Sequence, residues 1–174
     1  DLGKVTGVIK GVRGMRSSSG GTPQIFSYNE FIIHLNPKKD IHLITEYELE
    51  EYFSTIRSNL SLIICASYFI ELTDILTQQG DTYPELWADL RDSLMHLEKG
   101  TINTKRLARI FEIKAHKSTG FLPDFTHCTR CNKEAIDGLM YDYRHAQLLC
   151  KECSSGKERF SLLPGSAKFI EKVK

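Results

Sequence analysis

Four of the chain's five cysteines fall within twenty-six residues, as CTRC at 128–131 and CKEC at 150–153. Two residues between paired cysteines let both sulfurs reach one ion from a tight turn. Two such turns supply four thiolates, the donor set that tetrahedral Zn²⁺ takes. The eighteen residues between the pairs leave room for a short hairpin over 138–149 that brings them together. So short a segment has little core, and a bound ion would supply much of its folding free energy. A redox dithiol needs one pair at a helix N-terminus in a βαβ setting, and this loop-rich stretch has two pairs. Disulfides would require an oxidising compartment, and no signal peptide points to one. The expected ligands are Cys128, Cys131, Cys150 and Cys153, holding one Zn²⁺. Four thiolates leave no open position, so the ion is expected to be structural, not catalytic.

The surroundings fit that reading. His127 and His145 are expected at the surface or as hydrogen-bond donors around a complete cysteine set. Arg130, Lys133 and Lys151 either contact nucleic acid or, the favoured expectation, offset the formal −2 of the cluster and donate hydrogen bonds around it. Cys65 lies in an apolar helical stretch and reads as a small core residue.

Other chemistry is not visible. There is no P-loop, GxSxG, Rossmann glycine pattern or HExxH, and no constellation for an enzyme. Charge is more informative. The net +1 hides +3 over residues 1–45, −8 over 46–100 and +6 over 101–174. Such asymmetry points the two ends, and not the middle, toward a polyanion, the alternative being a surface charge spread unevenly by accident. Lys4, Lys10, Arg13 and Arg16 lie in or beside RGMRSSSGGTP (13–23), read as a flexible loop. Cations on such a loop can follow phosphates without reading bases. Phe26, Tyr28 and Phe31 offer stacking faces or, as is commoner for strand aromatics, core. Arg106, Arg109, His116 and Lys117 either extend a positive surface or keep their helix soluble.

These residues need elements to position them. Residues 4–12, 25–35 and 41–49 are rich in β-branched and aromatic residues and read as strands of a small antiparallel β unit, with a turn at 36–40. The chain opens on Asp1 in what reads as a strand already in progress, so a fragment is expected. Ile56, Leu60, Ile63, Ser67 and Ile70 form one helical stripe, widened by Leu62, Ala66, Phe69, Leu72 and Leu76; this predicts a central helix surrounded by others. Pro84 opens a second helix that stops at Gly100. A third runs from Thr104 to about Ser118, with Leu107, Ile110, Phe111 and Lys114 on one side and Gly120 and Pro123 ending it. Residues 161–165 read as the start of a closing helix. The longest uncharged apolar run, 58–70, is too short to span a bilayer.

This order of parts resembles the RecO family of bacterial recombination mediators. The resemblance rests on LGKVTGVIKGVRGMRSSSGG, NLSLIICASYFIELTDIL, RIFEIKAHKSTGFLPDFTHCTRC, LLCKEC and LLPGSAKFI. Its narrowest feature is a long helix, a Gly-x-x-Pro-Asp connector and then a Cys-x-x-Cys knuckle. Family members often carry glycines where this chain has Ala146-Gln147.

The resemblance implies an α+β multidomain fold: a partial OB-fold β-barrel over 1–49, a helical domain over 50–122, an inserted four-cysteine zinc-finger unit over 123–156, and the start of a closing helical segment over 157–174. It implies a non-enzymatic role in DNA repair in the bacterial cytoplasm, at the nucleoid. Members bind single- and double-stranded DNA, anneal complementary strands, and help load RecA with RecR onto DNA coated by single-stranded DNA-binding protein, whose acidic tail they hold. The DNA-contacting candidates are Lys4, Lys10, Arg13 and Arg16; Arg106 and Arg109 are candidates for the acidic tail. The competing expectation is a zinc-stabilised protein-interaction scaffold with little DNA binding of its own.

Overall fold

The structure is a computed structural model that describes residues 3–9, 23–134, 138–154 and 159–173. It divides into two compact units, Asp1–Phe111 and Glu112–Lys174.

The first unit opens with a three-stranded sheet: β1 (Thr6–Ile9), β2 (Ser27–His34) and β3 (Ile41–Tyr52), in the order β1-β3-β2. β2 and β3 are antiparallel across a turn at Asn36, whose side-chain oxygen accepts from Lys38 N at 3.0 Å and whose carbonyl accepts from Lys39 N at 3.1 Å. Their register shifts twice, between Tyr28/Asn29 and between Ile32/Ile33. At the second shift Thr45 is the extra residue, and its hydroxyl donates to the Ile32 carbonyl at 3.1 Å. The all-antiparallel expectation fails at β1, which pairs parallel to β3, Thr6 opposite Ile41 through Ile9 opposite Ile44. β2 leaves β1 only the other edge of β3, and backbone bonds between Lys4 and Gly80 and Asp81 anchor the direction in which β1 enters it. The loop expected over 13–23, with Lys10, Arg13 and Arg16, lies outside the described residues up to Thr22.

The helices are α1 (Ser54–Ser58), α2 (Leu60–Leu76), α3 (Pro84–Lys99) and α4 (Thr104–Ser118). The single stripe from Ile56 is broken at Asn59. Its extended backbone ends α1, and its side-chain oxygen accepts from Ser61 N at 3.0 Å and Leu62 N at 3.3 Å, starting α2 afresh. α2 buries Cys65, Ala66 and Phe69, while Leu60, Ile64 and Ile75 are 72%, 61% and 72% exposed. It is therefore covered on one side only, a correction to the surrounded helix. α3 begins at Pro84 and stops at Gly100, which takes φ 60°. Phe53, Ile56, Phe69, Leu86, Leu97, Leu107 and Phe111 form the core of this unit. The Phe69 and Phe111 rings lie 4.6 Å apart at 39°. Burying each such side chain contributes about 1.5–3 kcal/mol.

The second unit takes the last turns of α4, a sheet of β4 (Leu139–Asp142), β5 (Gln147–Leu149) and β6 (Arg159–Leu162) in the order β5-β4-β6, and α5 (Pro164–Val173). β4 pairs antiparallel with both neighbours. The closing helix starts later than expected: Ser161 and Leu162 are strand residues opposite Met140 and Leu139, because β4 offers a free edge there. Leu139, Leu148 and Leu149 are buried. Among the described residues no helix is long and apolar enough to cross a membrane.

Candidate metal centre

The four-cysteine site is built from two knuckles laid against the β4–β5 hairpin. In the first, Asn132 N donates to Cys128 O at 2.9 Å and Cys128 N to Lys133 O at 2.9 Å. Asn132 takes φ 56°, a left-handed conformation that asparagine tolerates well and that turns the chain back toward Cys128. Thr129 joins this knuckle to β5: its N donates to Leu148 O at 2.8 Å, and its Oγ1 accepts from Leu148 N at 3.2 Å. In the second knuckle Ser154 N donates to Cys150 O at 3.0 Å. The two are tied across the centre. Arg130 Nη1 donates to the Cys153 carbonyl at 3.1 Å, and Lys133 Nζ meets Glu152 Oε2 at 2.7 Å. Lys151 is exposed.

The thiols of Cys128, Cys131, Cys150 and Cys153 all lie within 4.8 Å of one another, a group that could hold a metal ion. Cys131 Sγ and Cys150 Sγ are 3.7 Å apart, and none of the four is in a disulfide. Cys128 is buried, Cys131 exposed, and Cys150 and Cys153 half-buried. Two of the four thiols are shifted, in opposite directions. Burial opposes ionisation of Cys128, yet the backbone amides of Cys131, Cys150 and Arg130 face its sulfur, and the thiol is drawn down to about 6. Cys153 goes the other way: its hydrogen bond to the Cys131 sulfur, then burial, then Cys150 and Cys128 push it up to about 12. Four thiolates at this spacing need a positive ion among them.

His127 and His145 stand outside the sulfur cluster. His127 Nδ1 lies 3.1 Å from Asp124 Oδ2, and His145 Nδ1 lies 3.1 Å from Asp142 Oδ2. Asp142 is a buried carboxylate that sequence reasoning missed. Its Oδ1 accepts from Arg144 N at 3.1 Å and His145 N at 3.3 Å, organising the turn between β4 and β5. The hydrogen bond from His145 holds its carboxyl below the usual range. The Asp-x-x-His spacing was the available signal.

Of the DNA-contacting candidates, only Lys4 lies among the described residues. Its ammonium meets Asp74 Oδ1 at 2.6 Å. Tyr28 packs on Trp87 with centroids 5.8 Å apart, and Phe31 on Tyr47 at 6.4 Å, so both rings have intramolecular partners. Arg106 is exposed near the start of α4, where Asn103 Oδ1 accepts from Lys105 N at 3.1 Å.

Residues 57–172, covering most of the helices and the whole cysteine unit, match the family model described as recombination protein O C terminal. The chain belongs to the RecO family. It is 32% identical over 173 residues to the DNA repair protein RecO of Caldicellulosiruptor saccharolyticus, covering 99% of this chain and 68% of that protein. It is 32% identical over 155 residues to the RecO of Clostridium kluyveri, covering 87% and 58%. With the RecO of Acetivibrio thermocellus it shares 23% over 172 residues, covering 98% and 68%. The chain thus spans roughly three-fifths to two-thirds of these RecO proteins' lengths.

Proposed function

We propose that the chain is the metal-organised, DNA-handling part of a RecO-type repair and recombination mediator. The observation that carries the reading is the convergence of four thiols at one point, in a family whose curated members are named DNA repair proteins. The ion is one structural Zn²⁺. At a Zn–S length of about 2.3 Å, tetrahedral sulfurs sit about 3.8 Å apart, and the 3.7 Å between Cys131 and Cys150 agrees with that. Four protein ligands leave no position for water or substrate, so the ion organises and does not react.

On this reading the sheet of the first unit is part of an OB-fold, followed by the helical domain and the zinc unit. The cations after β1, Lys10, Arg13 and Arg16, grip phosphate on single- and double-stranded DNA. The whole protein anneals complementary strands and helps RecR and RecA act on DNA coated by single-stranded DNA-binding protein, whose acidic tail a basic patch would hold.

Fluorescence anisotropy with a short single-stranded oligonucleotide tests the reading. Binding should weaken steeply with salt, log K falling against log salt with a slope of about −0.7 per phosphate contact. Arg13→Glu with Arg16→Glu should lower affinity for every sequence alike. Salt-independent binding would sink the proposal. One observation favours a scaffold as the second reading: α2 leaves Leu60, Ile64 and Ile75 exposed on one face. Firm retention of RecR or of single-stranded DNA-binding protein with no DNA affinity would select it.

A further inference from the structure

By its own sequence α2 is poorly finished. Its last turn has no basic residue and carries Asp74, a negative charge at the end where helix carbonyls already gather negative partial charge. No glycine closes it; the capping residue Thr77 is extended, at φ −112° and ψ 143°. The missing cation comes from seventy residues upstream. Lys4 Nζ lies 2.6 Å from Asp74 Oδ1 and donates to the carbonyls of Asp74 at 2.8 Å and Thr77 at 3.3 Å. An ammonium has three protons, and three acceptors take them.

The backbone around Lys4 is tied to the same place. Lys4 N donates to Asp81 O at 3.1 Å, and Gly80 N to Lys4 O at 2.8 Å. Gly3, at φ 67°, lies so close that a Cβ would sit 2.3 Å from the Asp81 carbonyl oxygen, so no other residue fits without moving that loop. Gln79 Nε2 completes the seam, reaching Thr6 Oγ1 at 3.2 Å and Asp40 O at 3.3 Å.

We infer that Lys4 is a positioning residue: with Gly3 it forms a clasp that finishes α2 and seats β1, and its ammonium makes no phosphate contact. The Gly-Lys of the opening segment is then a folding signature, and the DNA-gripping cations begin after β1. Only the statement about phosphate rests on the DNA-binding reading.

The test pairs stability with salt dependence on the full chain with its metal bound. Lys4→Met should lower the thermal midpoint by about 2–4 °C. Asp74→Asn should lower it less, and the double variant should fall short of the summed shifts because the two share one interaction. Lys4→Met should also keep the salt slope of binding to a single-stranded oligonucleotide. A slope reduced by about 0.7 with an unchanged midpoint would make Lys4 a phosphate contact and overturn the inference. So would additive shifts for Lys4 and Asp74. If Lys4→Met does not fold, Lys4→Arg serves: it keeps a charge for phosphate but cannot place one compact donor among three acceptors, so a lowered midpoint with the slope intact is expected. Should the unaltered chain not bind DNA, the proposed function fails, and the midpoints alone still decide the clasp.

Discussion

Ala146 sits in the β4–β5 turn at φ 49°, a left-handed conformation that costs an L-residue roughly 1–2 kcal/mol. It is exposed, so a substitution there disturbs no packing. Ala146→Gly should stabilise the second unit by about 0.5–1 kcal/mol, the relieved strain outweighing glycine's greater entropy cost. Thermal melting of the metal-bound protein checks it; a lowered midpoint would show that the turn is unstrained. The buried Asp142 that shapes the same turn was not legible from sequence, because its partners, the amides of Arg144 and His145, are met only once the turn has formed. Cys128 tests the ion more directly. Cys128→Ser removes the one buried sulfur of the four that converge, so on the proposed zinc reading metal content should fall from one ion per chain to a small fraction. Full zinc retention by this variant would overturn the ligand assignment.

Short helices depend on their ends, and α1 borrows its N-terminal cap from another element. Glu98 of α3 accepts from Thr55 N at 2.8 Å and Ser54 Oγ at 3.2 Å through Oε1, and from Ile56 N at 3.0 Å through Oε2. Partial burial works against ionisation, but the donors win and hold the carboxyl below its ordinary value. A depressed carboxyl stabilises the fold above its unfolded pKa and loses that contribution as pH falls through the folded one. Glu98→Gln should therefore cost about 1 kcal/mol near neutral pH. The gap from the unaltered chain should stay level down to about pH 5 and close below it. Trp87, the one tryptophan, reports on this unit by its fluorescence. A gap independent of pH would exclude the charge as its cause.

At this scale the limits of sequence reading have a clear cause. α3 and α4 were legible because Pro84, Gly100 and Gly120 are local signals for the ends they mark. The break at Asn59 was overrun because the hydrophobic stripe continues across it in sequence. The parallel pairing of β1, the cap from Glu98 and the closure of α2 by Lys4 depend on partners thirty-five to seventy residues away. No window of periodicity contains both members of such pairs.

For the whole molecule, the two units hold themselves together by different means. The first has an aromatic and aliphatic core around Phe53, Phe69 and Phe111; among its described residues the second buries few large side chains besides Leu139, Leu148 and Leu149. Chelation should therefore unfold the second unit and leave the first standing: Trp87 fluorescence should hold while hydrogen-exchange protection vanishes from β4 and β5. Parallel loss of both signals would mean that the units share one cooperative transition. The charge asymmetry belongs to this scale too. The −8 of residues 46–100 falls almost wholly on the first unit's last strand and helices and the +6 on residues 101–174, so the polyanion-facing character read from sequence is a property of segments and not of any one residue.

The four sulfurs are unequally sheltered: Cys128 is enclosed, whereas Cys131 lies open to solvent. An electrophile or oxidant approaching the centre meets Cys131 first; reactivity follows thiolate character as well as access, and an ion that holds all four sulfurs as thiolates would leave access to decide. Damage to the centre should then have a fixed order, with Cys131 alkylated earliest and Cys128 last. The opposite end of the cluster is shielded until the knuckle has come apart.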